Sequence, residues 1–240
     1  MLAPLLFLLA LPPATPPAAE PDSAWPVVRL DGWQWRGRSL AFGPFKAIRI
    51  RESERREEVR GNLLLGVRHE TWKTEFELPA APDARGDRTT CHLDQLLSPG
   101  VDVRRAMTSR DVFRMHCTMR GMPGWELALA AAAPPNEGDP AAPLQLGALT
   151  TGRDEWSLVG LGSRRVLAFL WSQPERIAFR APDGSVDAEV HLHTADGRTR
   201  YRVWINPHLP ADLQGHLARA AVALLVAEPI GPADEAFRLP

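Results

Sequence analysis

The chain has 240 residues, 28 Lys plus Arg against 29 Asp plus Glu, a formal net charge of −1 and 45% hydrophobic residues. With both signs interspersed, no long-range field gathers nucleic acid or an anionic membrane surface, which excludes a nucleic-acid reader. The length is ample for the core of one large β domain.

The first residues, MLAPLLFLLAL, form an uncharged apolar run of signal-peptide length, too short to span a bilayer as a helix. A Pro/Ala tract follows to Ala24. Residues 1–24 are therefore expected to be a signal peptide and tract, and 25–240 a single β-barrel domain with no transmembrane span. The expected location is the periplasm of a Gram-negative bacterium. No Lys or Arg precedes the run, unlike a usual signal peptide, and no cysteine lies near its end, so a lipoprotein anchor is not supported. Lys46 and Lys73 are the only lysines, which we ascribe to GC-rich coding.

In chain order, Trp33–Phe42 and Phe45–Arg51 are expected to pair across Gly43-Pro44. Glu52–Arg60 carries both charge signs and is expected as a solvated loop or strand end. Gly61–Arg68 and Thr71–Leu78 form a second expected pair, the latter alternating Trp72, Thr74, Phe76 and Leu78 against charged residues. The span 89–107 is ambiguous between a short helix and an irregular strand. Phe113–Met119 and Trp125–Ala131 are strands joined near Met122-Pro-Gly124, and 132–143 is a proline-glycine loop. Leu144–Thr150, Glu155–Gly160 and Arg164–Trp171 follow, the apolar run 166–171 being expected as a central strand covered on both faces.

Two cysteines, Cys91 and Cys117, are too few for a structural zinc site. In Val112–Met119 the odd positions share a face, so Cys117 is expected inward with Phe113 and Met115. An even count in an exported chain favours a Cys91–Cys117 disulfide. Two separate buried thiols are the alternative.

Asp183-Gly184 and Asp196-Gly197 each lie between alternating runs, a strong hairpin signal. Counting out from Asp196-Gly197 sets Leu192 opposite Tyr201, Val190 opposite Val203, Ala188 opposite Ile205, His193 opposite Arg200 and His191 opposite Arg202. Counting out from Asp183-Gly184 sets Phe179 opposite Ala188, Ile177 opposite Val190, Arg180 opposite Asp187 and Arg176 opposite His191. Both counts give the middle strand the same apolar face, which predicts a three-stranded meander.

Beyond Pro210, Asp212 is expected to cap a helix over about 212–226. From Leu217 to Ala227 only Arg219 is polar, so the helix is apolar all round and is expected to be buried all round. The fold class is thus mainly β: a single antiparallel barrel or strongly curled sheet of about twelve strands around a C-terminal hydrophobic helix.

Val203-Trp-Ile205, Leu209 and the helix Leu217-Ala-Arg-Ala-Ala-Val-Ala-Leu-Leu-Val226 together resemble the tubby-like and LURP-one fold, in which antiparallel strands close around a hydrophobic C-terminal helix. The resemblance implies that architecture. Eukaryotic members are associated with phosphoinositides through basic residues, but no matching lysine cluster occurs here, and no binding residues are carried over.

No catalytic, cofactor-binding or metal-binding residues are assigned from sequence. His191-x-His193, with Glu189 and Asp187, has alternate strand spacing suited to a metal, yet Arg176, Arg200 and Arg202 would surround it. There is no nucleophile elbow or phosphate loop, and His208 and His216 fit a polar helix start near the barrel rim. The expected function is an exported non-enzymatic module that scaffolds or binds envelope proteins or lipids, its ligand-binding residues and partner unassigned. The alternatives are a hollow lipocalin-like carrier of a small apolar ligand, or an enzyme of unrecognised type. A helix inside the barrel removes the carrier's cavity, whereas a helix outside leaves one.

Overall fold

The computed structural model describes residues 25–26, 39–53, 55–60, 67–79, 87–97, 112–132, 144–161, 164–166, 171–173, 176–195 and 198–227. The expected signal peptide and most of the 132–143 loop lie outside these residues. Short β1 (Trp25–Pro26) and β2 (Leu40–Phe42) are followed by β3 (Phe45–Glu52), β4 (Arg56–Arg60), β5 (Val67–Leu78) and β6 (Asp87–Leu97). Next come β7 (Val112–Met119), β8 (Trp125–Ala132), β9 (Leu144–Thr151), β10 (Glu155–Leu161), β11 (Arg164–Val166) and β12 (Trp171–Gln173). The chain then forms β13 (Arg176–Arg180), β14 (Val186–Ala195), β15 (Arg198–Ile205) and the helix α1 (Ala211–Ala227).

The sheet runs β1-β15-β14-β13-β10-β9-β8-β7-β6-β5-β3-β2, with β4 also paired to β5, and every pairing is antiparallel. It curls into a nearly closed barrel, and among the described residues α1 is the only helix. Inward rows follow from the register. One crosses six strands as Thr74, Cys91, Cys117, Leu127, Leu149 and Trp156, all buried. Another joins Ile177, Val190 and Val203, again all buried. Alternating residues give each strand one apolar face, and antiparallel register lines those faces up.

Three bulges, each adding one residue to one strand, bend this sheet. In β3 the pairing shifts between Ile48 and Arg51, and Arg49 lies in the left-handed region at φ 54°. The extra residue turns both Ala47 and Ile50 inward, which strict alternation from Phe45 could not predict. In β9 Leu146 is the extra residue, since Leu158 pairs with Gly147 and Val159 with Gln145. A Cβ on Gly147 would sit 1.9 Å from the Ala128 carbonyl oxygen, so only glycine permits the approach of β8. In β14 Asp187 is the extra residue.

The last bulge corrects one sequence expectation. Ala181 N–H donates to the Ser185 carbonyl and Gly184 N–H to the Ala181 carbonyl, both at 2.9 Å. The turn is therefore a three-residue loop, Pro182-Asp183-Gly184, with Gly184 at φ 86°. Arg180 accordingly pairs with Val186 rather than Asp187. The extra loop residue and the extra bulge residue cancel, so Phe179 opposite Ala188, Ile177 opposite Val190 and Arg176 opposite His191 stand as expected. All five pairs counted from Asp196-Gly197 are present.

Other expectations change. The ambiguous start of 89–107 belongs to the long strand β6, and 98–107 lies outside the described residues. Residues 67–78 form one 12-residue strand instead of parts of two, and within the charged run Arg56–Arg60 pairs with β5. The run 164–171 is not a central strand: β10 pairs directly with β13, while Arg164–Val166 and Trp171–Gln173 pair with each other in a separate two-stranded sheet. An apolar run has the same periodicity in a central strand as in a self-paired excursion.

Helix α1 begins at Ala211, one residue before the expected start. The Pro210 carbonyl accepts the first helical bond from Gln214 N–H at 3.0 Å. Asp212 is therefore not the cap but an exposed first-turn acid, favourably placed against the helix dipole. From Leu217 to Val226 every residue is buried, and α1 packs on β3, β5 and β6 as well as on β14 and β15. Alanines at 218, 220, 221 and 223 keep it thin enough for this enclosure.

Candidate functional site

Strand polarity brings the 120–124, 152–154 and 181–185 turns to one end of the barrel, where β15 delivers the chain to α1. At this mouth Gly124 and Gly152, at φ 95° and 82°, let two turns touch backbone to backbone. Asp154 closes its turn by accepting Thr151 N–H on its carbonyl at 2.9 Å and donating its own N–H to Thr151 Oγ1 at 3.1 Å. The Asp187 bulge turns its carboxylate inward, where Oδ2 accepts Trp156 Nε1–H at 2.9 Å. The Asp187 carbonyl accepts Asn206 N–H at 2.8 Å, tying the end of β15 to β14.

Arg219 is the polar centre of this end. The residue is buried, at 6% exposure. Nη1 donates to the Asp87 carbonyl and Thr89 Oγ1, each at 2.8 Å, and Nη2 donates to the Leu78 carbonyl at 3.2 Å. These acceptors lie at the adjoining ends of β5 and β6, where Leu78 and Asp87 are directly opposite. Burial pushes the Arg219 pKa down to about 10, partly opposed by Asp87. One turn nearer the mouth, His216 is half-buried. Burial first, then the Arg219 charge, hold its pKa below the ordinary histidine value, against smaller opposing effects of Asp212 and Asp154. The imidazole is thus biased towards its neutral form, and Arg219 is committed to carbonyl and hydroxyl oxygens. The arrangement docks and orients a helix.

The two cysteines expected to pair do so. Cys91 and Cys117 are directly opposite on β6 and β7, fully buried, and joined as a disulfide. Closing a loop with a sequence separation of 26, the bond is expected to contribute about 3 kcal/mol. We predict that the Cys91→Ala/Cys117→Ala pair unfolds in denaturant with stability lower by that amount. Unreduced, denatured parent protein should show no titratable thiol, and two free thiols would contradict the bond.

The His191 pair gathers no metal group. His191 Nε2 lies 2.5 Å from Glu189 Oε2, between Arg176 and Arg202 in the register, and the His193 side chain lies outside the described residues. Among the described residues no group of three or more His, Cys, Asp or Glu is placed to hold an ion. His208 is exposed, its N–H donating to Asn206 Oδ1 at 3.0 Å. Trp72, Trp125 and Trp156 are buried core residues. Sequence reasoning missed the inward carboxylate of Asp187, because a bulge leaves no mark in an alternating pattern. It also missed Arg49, whose Nη1 donates to both carboxylate oxygens of Glu77 at 3.2 and 3.1 Å on the outer face.

No protein family, curated protein or solved structure matches this chain. Among the described residues no helix is long and apolar enough to cross a membrane.

Proposed function

We propose that the chain is an exported, non-enzymatic β-barrel module that scaffolds or binds components of the cell envelope. The observation that carries this reading is the burial of Leu217–Val226 on every side of α1. A lipocalin-like carrier needs interior space, and here the helix takes it. What remains for a partner is the outer face of the sheet and the turns at the mouth. The buried disulfide fits an oxidising compartment. The tubby-like resemblance enters this proposal as architecture alone, an antiparallel barrel completed by a C-terminal helix. Phosphoinositide binding is left out of it, because Lys73 is paired with Glu75 at 2.6 Å and no lysine cluster surrounds it.

The test is recovery of the protein from the periplasmic fraction, native mass measurement and chemical crosslinking in intact cells. The expected result is a processed chain with no small molecule bound and crosslinks to envelope proteins or lipids. A stoichiometric apolar ligand would overturn the proposal in favour of a carrier, and recovery solely from the cytoplasm would overturn export.

A further inference from the structure

The row of residues next to the disulfide, on the opposite face of the sheet, runs Lys73, His92, His116 and Ala128 across β5, β6, β7 and β8. The register that brings Cys91 to Cys117 inside the barrel therefore brings His92 to His116 outside it, and both histidines are exposed. Directly opposite residues have Cβ atoms about 4.5–5.5 Å apart. Two imidazoles at that separation can each place a nitrogen about 2.1 Å from one ion.

Around the pair the carboxylates of Glu75, Asp94 and Glu126 slightly outnumber the cations Lys73 and Arg114. His116 Nε2 meets Glu126 Oε1 at 2.8 Å, which fixes that ring and leaves Nδ1 for a ligand. Ala128, the next residue in the row, is too small to cover the ring. Lys73 is drawn to Glu75 at 2.6 Å. Asp94, two residues from His92 on the same face, is paired with His69 at 2.7 Å. Arg114 lies two residues from His116, opposite Asp94, so this pair has cations on one diagonal and at Lys73, whereas His191 lies directly between two arginines in the register. The disulfide keeps thiolates from competing for the ion.

We propose that His92 and His116 form a surface site for a borderline divalent transition-metal ion of the Zn2+ or Cu2+ class, with Glu126 as a positioning residue and water completing the coordination. The site stands independently of the envelope-module reading.

The test is calorimetric titration of Zn2+ alone into the full, oxidised chain at neutral pH after chelator treatment. One ion per chain is expected. His92→Ala and His116→Ala should each weaken binding at least about tenfold, and Glu126→Gln by about 10- to 100-fold with stoichiometry kept. His208→Ala, remote from the row, should bind as the parent does. All four residues are exposed, so the melting temperature in chelator should not change, which separates lost binding from lost folding. Absence of zinc binding, or binding that survives the His92→Ala/His116→Ala double substitution, would overturn the proposal.

Discussion

Leu224→Asp is expected to yield no folded protein, seen as a loss of the cooperative melting transition and of soluble chain. Leu224 is 1% exposed in the buried half of α1, among Val222, Ala223, Leu225 and Val226, which are equally enclosed. Arg219 is more than a helical turn away, with its Nη1 and Nη2 already bonded, so the new carboxylate would have neither water nor partner. Even if it takes up a proton, the buried polar group together with the lost leucine packing costs on the order of a domain's net stability of about 5–15 kcal/mol. Leu224→Ala separates helix burial from charge. It should remain folded but lose roughly 2–5 kcal/mol, transfer and cavity effects together. At this chain length each kcal/mol corresponds to about 2–4 °C in melting temperature. A native melting curve for Leu224→Asp would mean that α1 is peripheral, and the hollow-carrier function would then regain its cavity.

Whether a feature was legible in the sequence depended on whether its cause was local. The helix was legible because only one polar side chain interrupts Leu217–Ala227, and burial all round follows from that. The β13-β14-β15 meander was legible because apolar alternation and Asp-Gly turns specify the same faces. Even there, the three-residue turn and the Asp187 bulge were hidden, since their offsets cancel beyond Phe179. Ala47 and Ile50 share a face only because Arg49 takes a left-handed backbone, a choice that sequence pattern does not mark. The run 164–171 failed for the opposite reason, its pattern being clear but its pairing partner being set elsewhere. The mouth was the least legible part. Arg219 stood out as the lone polar residue of the helix, but its acceptors, the Leu78 and Asp87 carbonyls and Thr89, lie more than a hundred residues away.

Those acceptors decide the sign of the last prediction, that Arg219→Met destabilises the protein even though it removes a buried charge. Lowering the guanidinium pKa from 12.5 to about 10 corresponds to roughly 3 kcal/mol of unfavourable burial at neutral pH. Methionine would relieve that cost and keep most of the apolar contact. It would also remove three charge-assisted hydrogen bonds, to the Leu78 and Asp87 carbonyls and the Thr89 hydroxyl, at about 1–3 kcal/mol each. The three losses together, roughly 3–9 kcal/mol, meet or exceed the relief, so a net loss of about 3 kcal/mol is expected. Arg219→Lys should fall between parent and Met variant, because one ammonium cannot span the fork of acceptors that the planar guanidinium reaches. Denaturant unfolding supplies the ranking, and amide exchange at Ala220–Val226 supplies the mechanism. If Arg219 docks α1 onto β5 and β6, the methionine variant should exchange faster along the helix while the β14–β15 ladder keeps its protection. A methionine variant as stable as the parent would show that burial of the charge outweighs its hydrogen bonds.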